Sequence, residues 1–377
     1  MSVQKRNISQ ITGLRGIIAF LIAYVLHWML LFWAIPDFNN EFIEQAFGAS
    51  ATAILYSPNV FFIFSGYLIH KSYHERLTNA EISFADFMIP KMKKIYPIVI
   101  TTAFITWMLQ NLGLYMFGGY PLHQDGGTVR NSVVSLLLSV LGLQSGYFSD
   151  NDAMSVNGPA WFVAILFLCY AIYYFITRVI HSKWGQNLCY VGLIILGIFI
   201  ICVSPNLPLL YMVNGRGYFS FFAGVMIREV IELMEDPDEE DSYNVLKIFT
   251  YIIAIVCFIY SGYECIIKAN YAHREILILT ILFWPSLVYL TLHGYILKWI
   301  FSFPVFVLLG KMAMPIFLCN FPTNVAIRMC DMQFGWNLDY TNPWLWFAHI
   351  ILSLLIVFVF HIIFEVSWKK DCVEKRE

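Results

Sequence analysis

Leu14-Arg-Gly-Ile-Ile-Ala-Phe-Leu-Ile-Ala-Tyr-Val-Leu-His27, continued by Trp28-Met-Leu-Leu-Phe-Trp33, is the stretch on which the fold turns. It is apolar from Ile17 to Trp33, and Lys5, Arg6 and Arg15 stand before it. The residues that follow, Ala34-Ile-Pro-Asp-Phe-Asn-Asn40, hold no small-x-small cleavage site, so the stretch reads as a retained first membrane helix. Spanning a bilayer takes about 20 apolar residues. Nine further runs come close: 53–70, 95–117, 161–179, 188–203, 218–234, 248–267, 276–292, 305–327 and 345–366. An eleventh run, 133–143, is too short and reads as re-entrant or interfacial.

The composition agrees. Of 377 residues, 59% are hydrophobic and 13% charged, with a mean hydropathy of +0.67. A soluble domain carries about 25% charged residues, and half of that leaves too little polar surface to cover this chain. Aromatic residues at 18% suit a lipid-facing wall with interfacial belts. With the amino terminus in the cytoplasm and 133–143 not crossing, 18 of the 23 basic residues fall on the cytoplasmic side. The positive-inside rule therefore predicts an all-α integral membrane protein of about ten transmembrane helices, one domain over 1–377, with both termini cytoplasmic. Nothing points to nucleic acid as a partner. The eight cysteines include no C-x-x-C pair, and most lie in apolar runs, so neither a disulfide framework nor a zinc site is expected.

Ionisable groups inside a bilayer are expensive and mark candidate sites. Arg15 and His27 are twelve residues apart, about 18 Å along a helix. This puts Arg15 at the cytoplasmic edge and His27 beyond the midplane, where an imidazole can serve as a base. Ser65 and Gly66 interrupt the apolar run 59–69, and small residues there suit close helix packing. His70 and His74 are spaced i, i+4, but no glutamate stands between them as in H-E-x-x-H, and no metal is expected. Lys91, Lys93 and Lys94 either anchor the third span or bind anionic phosphates. Pro97 suits the first turn of a span starting at Ile95. The loop 118–159, with His123, Asp125, Asp150 and Asp152, is long enough to cover a site. The acidic run 235–241 reads as a solvated linker, and His361 and Glu365 as a neutralising i, i+4 pair.

Taken in order, six segments resemble the acyltransferase 3 family of multipass membrane acyltransferases. Leu14-Arg-Gly…His27 is similar to its first-helix Arg…His signature, and Phe61-Phe-Ile-Phe-Ser-Gly-Tyr-Leu-Ile69 to its S-G-[FY]-L-I segment. Lys91-x-x-Lys94-x-x-Pro97 resembles R-x-x-R-x-x-P, and Pro159-Ala-Trp-Phe-Val163 resembles P-x-W-[SF]-L. Leu309 to Pro322 resembles L-G-x-x-S-Y-x-[IL]-Y-L-x-H-x-P, and Phe364-Glu365 the acidic residue near the family's end. Three departures stand out. Eleven residues rather than ten separate Arg15 from His27, which turns the helix by about 100° unless a π-bulge absorbs the extra residue. Asn320 replaces the usual His, and Lys91 and Lys94 lack the bidentate fork of Arg.

The resemblance implies transfer of an acyl group, usually acetyl from acetyl-CoA, to a hydroxyl of a cell-envelope glycan or its lipid-linked precursor, in the cell membrane. In that reading Arg15, Lys91 and Lys94 hold the acyl-CoA phosphates, and His27, assisted by Arg15, is the catalytic base. Ser65, Tyr67, Trp161 and Asn320 shape the substrate end, no metal takes part, membrane lipid surrounds the protein and a homo-oligomer is admitted. The alternatives are a transporter or flippase for an amphiphile and a non-catalytic membrane sensor of the same fold.

Overall fold

The computed structural model describes residues 3–32, 41–47, 51–122, 127–148, 156–234, 240–267 and 277–366. Among these there is no strand; the chain is a bundle of helices. Seven helices are long and apolar enough to cross a membrane, or up to nine if each of two bent pairs is one span. The chain is thus a multipass helical membrane protein.

The first span consists of α1 (Val3–Leu21), a π turn (Ile22–Leu26) and α2 (His27–Phe32). The His27 N–H donates to the Ile22 carbonyl, the i to i−5 bond that defines the π turn. The extra residue between Arg15 and His27 is absorbed there. Helix α3 (Pro58–Thr78) starts on a proline at its first turn, where no intrahelical N–H is needed.

Helix α4 (Phe84–Phe117) is 34 residues long, about 51 Å. It starts eleven residues before the apolar run, because the Ser83 side chain caps the Asp86 N–H at 3.1 Å. Pro97 therefore lies in the helix interior rather than in a first turn.

Helix α5 (Val133–Leu141) is too short to span. Asn111 Nδ2 donates to the Asn131 carbonyl at its start, and Tyr96 Oη to the Leu141 carbonyl at its end. This nine-residue helix therefore runs about 14 Å alongside α4. Helices α6 (Trp161–Val179), α7 (Lys183–Val203), α8 (Met212–Met234) and α9 (Glu240–Gly262) follow. Helix α8 carries Arg216, Arg228, Glu229 and Glu232 and falls outside the spans recognised by hydropathy.

The run 305–327, expected as a single span, is broken, and the run 276–292 ends just before a sharp bend. A π turn (Leu279–Phe283) leads into α10 (Trp284–His293), just before Pro285, which has no N–H for the ladder. At Gly294 the chain bends by 87° into α11 (Tyr295–Phe301). Helix α12 (Pro304–Lys311) meets α13 (Ala313–Phe334) at 65°. Pro315 would clash with the carbonyl four residues back, so α12 cannot run on. Helix α14 (Pro343–His361) closes the bundle.

Backbone contact at glycines holds these helices together. A Cβ on Gly66 would overlap the Phe221 carbonyl oxygen, and one on Gly224 the Ile63 carbonyl oxygen, so α3 and α8 touch main chain to main chain. Gly13 and Gly16 set α1 against Phe301 and Gly310 in the same way. The described cysteines are all free, Cys265 and Cys330 included.

Gly66→Ala is expected to destabilise the detergent-purified protein by about 1–3 kcal/mol. Gly192→Ala, at a helical position with open space around it, should be neutral or stabilising. Thermal unfolding of the two variants checks this: equal melting temperatures would remove the close crossing from the account.

Candidate active site

One end of the bundle carries Arg15, Lys91, Lys94 and Lys311 and opens into a cavity of about 940 Å³. Helical spacing explains how these side chains converge. Ser9, Thr12 and Arg15 share one face of α1; Ser65, Leu68, Ile69 and Ser72 share one face of α3; Lys91, Lys94, Ile95 and Ile98 share one face of α4. Gly310, Lys311 and Met314 add the break between α12 and α13, and His361 adds the end of α14.

The cations sit against aromatic rings. The Arg15 guanidinium lies 5.9 Å from the Phe61 ring centroid. Lys91 Nζ lies 3.6 Å from the Phe87 centroid and 4.0 Å from that of Tyr73, and it donates to the Phe87 carbonyl. Lys91 is thus folded into an aromatic wall, which holds its charge in a place of low water access. Ser65 hydrogen-bonds Tyr170, another lining residue.

Three rings close the inner part of the cavity. Phe61, Phe162 and Phe317 lie 5.7, 6.1 and 6.2 Å apart, centroid to centroid. Behind them stands His27, its ring centroid 6.2 Å from that of Phe317. Asn320 hydrogen-bonds the His27 ring. The buried Nδ1 of His27 has no partner among the described residues, so the bond is at Nε2. The Asn320 amide nitrogen lies 3.5 Å from His349 Nε2, and its oxygen accepts from Asn324 at 3.2 Å. The Asn320 amide is thus shared among His27, His349 and Asn324. The π turn makes this possible by restoring the facing of His27 after eleven intervening residues.

Of the residues expected to act, Arg15, Ser65, Lys91 and Lys94 meet in the cavity, and His27 and Asn320 meet behind the rings. Trp161 does neither. Its ring stacks on the Arg216 guanidinium at 4.9 Å and against Phe62, toward the opposite end of the bundle. Arg216 also faces Tyr56 and donates to Asn59 Oδ1 at 3.1 Å. Tyr67 is 6% exposed and does not line the cavity. Two residues beyond Ser65 it is turned by about 200°, which sends it into the core. Sequence reasoning missed Lys311, Tyr170, His349 and Arg216. Lys311 reaches the cavity at the 65° break beside it, which hydropathy does not register. His123, Asp125, Asp150, Asp152, the run 235–239 and the Glu365 side chain lie outside the described residues.

A separate polar cluster joins α3, α6, α7 and α8. His70 Nε2 lies 2.8 Å from Glu229 Oε1, Tyr173 Oη 3.1 Å from His70 Nδ1, and Lys183 Nζ 3.0 Å from Glu229 Oε2. His74, stacked on His70 at 4.2 Å, pairs with Gln186 at 2.8 Å. The three potential metal-ligand atoms of His70, His74 and Glu229 fall within 4.8 Å of one another. Lys183 already supplies a positive charge to the carboxylate, so the cluster stands as a Tyr–His–Glu–Lys chain that joins four helices.

Fold and site together define a polytopic membrane protein with a cation-ringed cavity on one side of an aromatic floor and a histidine on the other. Residues 8–362 match the acyltransferase 3 family, described as an acyltransferase domain. The chain belongs to that family. It is 26% identical over 211 residues to a protein of Shigella phage Sf6 named O-acetyl transferase. The match covers 54% of this chain and 57% of that relative, so it spans little more than half the relative's length. No solved structure matches the chain.

Glu229→Ala would leave buried His70 without its carboxylate and is expected to cost about 3 kcal/mol or more. Lys183→Ala would leave the buried Glu229 carboxylate without its cation and should cost a comparable amount, whereas Arg76→Ala, in an exposed pair with Glu81, should cost far less. Chemical or thermal unfolding of the three variants in one detergent measures the difference.

Proposed function

We propose that this protein is a membrane O-acyltransferase that takes an acyl group, acetyl, from acyl-CoA and passes it to a hydroxyl of an envelope polysaccharide or lipid-linked glycan. The observation that carries the reading is the arrangement around the Phe61–Phe162–Phe317 floor. Four cations gather on one side, and an imidazole whose buried Nδ1 has no partner among the described residues stands beyond it. The name of the phage relative supports an acetyl group and an oxygen acceptor. The excess of Lys and Arg at the cavity end supports placing it in the cytoplasm, where acyl-CoA is, with the protein in the cell membrane.

In this mechanism Arg15, Lys94 and Lys311 take the phosphates of CoA as charge-assisted partners, while Lys91 adds charge from its aromatic wall. The acceptor comes to His27 from the opposite end, past Trp161. Nδ1 of His27 removes the hydroxyl proton as the oxygen attacks the thioester carbonyl. The carbon–oxygen bond forms, the carbon–sulfur bond breaks, and the proton passes from His27 to the departing thiolate to give free CoA. For this step Asn320 must hold the imidazole in the tautomer that leaves Nδ1 basic. Arg15 lies at the cavity side of the floor, where its charge favours the developing oxyanion and thiolate. The two bent helices are also a mark of transporters, so the test must separate chemistry from movement.

The test is release of free CoA from acetyl-CoA by the purified protein in liposomes, with and without extracted envelope glycan. Acceptor-stimulated release is expected, reduced roughly 10²–10⁴-fold in His27→Ala. Lys94→Ala or Lys311→Ala should raise KM for acetyl-CoA about tenfold, the loss of one charge-assisted contact. Deleting Ala23 straightens the π turn while keeping the facing of His27 and should retain turnover; inserting a second alanine there should abolish it. If acetyl-CoA neither binds nor turns over, the enzymatic reading is wrong.

A further inference from the structure

On three of its walls the cavity ends on a phenylalanine ring. Helix α3 contributes Tyr73, Ser72, Ile69, Leu68, Ser65 and finally Phe61. Helix α6, running the other way, contributes Tyr170, Leu166 and finally Phe162; helix α13 contributes Ala313 through Phe317. On each helix the lining residue furthest from the cation-bearing end is a phenylalanine. The three are 8%, 3% and 4% exposed. They form a near-equilateral triangle with edges of 5.7–6.2 Å, the contact range of packed aromatic rings. Phe162 is held from behind by Phe62, at 4.5 Å. Arg15 stands on one side of the triangle and His27 on the other, 5.9 and 6.2 Å from its rings.

From this we infer that Phe61, Phe162 and Phe317 are the acyl-length filter of the site, admitting a two-carbon acyl group and rejecting longer chains. The inference rests on the acyl-CoA reading and adds to it the residues that choose the acyl group. A thioester whose phosphates lie among the cations must pass its carbonyl between the three rings to reach an acceptor hydroxyl held at His27. The acyl tail then points into the rings. A methyl group is small enough to sit at their junction. Each further methylene must displace a ring that is packed against two others and, for Phe162, against Phe62. An interior packed this closely resists such displacement. One methylene in a fitted apolar pocket is worth about 10–200-fold in discrimination, so butyryl-CoA, two methylenes longer, should be strongly disfavoured.

The experiment is calorimetric titration of purified His27→Ala protein, in which transfer is blocked, with acetyl-CoA, butyryl-CoA and CoA. Acetyl-CoA is expected to bind at least tenfold more tightly than butyryl-CoA. In Phe162→Ala and in the gentler Phe317→Leu and Phe61→Leu, each on the same background, the ratio should fall toward one or reverse, with affinity for CoA itself unchanged. Unchanged affinity for CoA shows that each variant is folded. Equal affinity for the two thioesters in the parent, or a ratio that none of the three variants moves, overturns the filter alone. Failure of acetyl-CoA and CoA to bind the parent overturns the filter together with the reading it rests on.

Discussion

The close main-chain contact of α1 with the segment from Phe301 to Gly310 governs the site. Lipid tails are as apolar as leucine, so helices in a bilayer gain little from hiding apolar side chains and associate where small residues let backbones meet. Gly13 and Gly16 on one side and Gly310 on the other leave no room for a Cβ. That contact fixes both the depth and the rotation of α1. It thereby aims Arg15 into the cavity, while Lys311 enters the same cavity from the next residue of the opposing helix. The Gly66–Gly224 crossing does the same for α3 and α8, and through α3 it sets Ser65 and Phe61.

With α1 fixed at its base, the π turn decides what its upper part presents. An α-helical path from Arg15 through eleven residues would carry His27 about 100° away from the position it has. One wider turn restores the facing, and π turns commonly mark functional positions. Asn320 then has three polar neighbours, His27, His349 and Asn324, which share its single amide. The aromatic floor keeps this polar group apart from the cation cluster. Low dielectric around both raises the strength of every charge interaction and the cost of each unpaired group. Buried polar pairs such as Asn59–Arg216 and His70–Glu229 follow the same constraint.

Much of this was legible in the chain. Helical spacing places Lys91 and Lys94 on one face, and the distribution of Lys and Arg brings them to the same end as Arg15. The apolar runs located the helices, and 133–143 was rightly read as too short to cross. Legibility failed where hydropathy is blind to backbone geometry. An average over 20 residues does not register the break at Met312 or the bend at Gly294, which follow from Pro315 and from how the halves pack. It also started the third helix at Ile95, since Ser83, a cap, is a local hydrogen-bonding signal rather than an apolar one. Tyr67 belongs to the same motif as Ser65 yet faces away, because adjacency in a motif is not adjacency on a helix. Arg216 became visible only through partners far off in sequence, Asn59 and Trp161.

The short α5 has a consequence for how the protein is made. The segment that returns from it places Asn157 inside the bundle, where its amide donates to Thr102 and to the Leu318 carbonyl, 161 residues further along the chain. Nine residues, two of them serines, are too few to be held in lipid by the insertion machinery as a span. While the ribosome is still making the middle of the chain, this hairpin therefore has no lipid anchor and only its bonds to α4, without the Leu318 carbonyl. It must wait near the interface until α13 emerges. The last third of the polypeptide thus acts as an internal chaperone for the middle, and the cavity can acquire its final shape only near the end of biosynthesis.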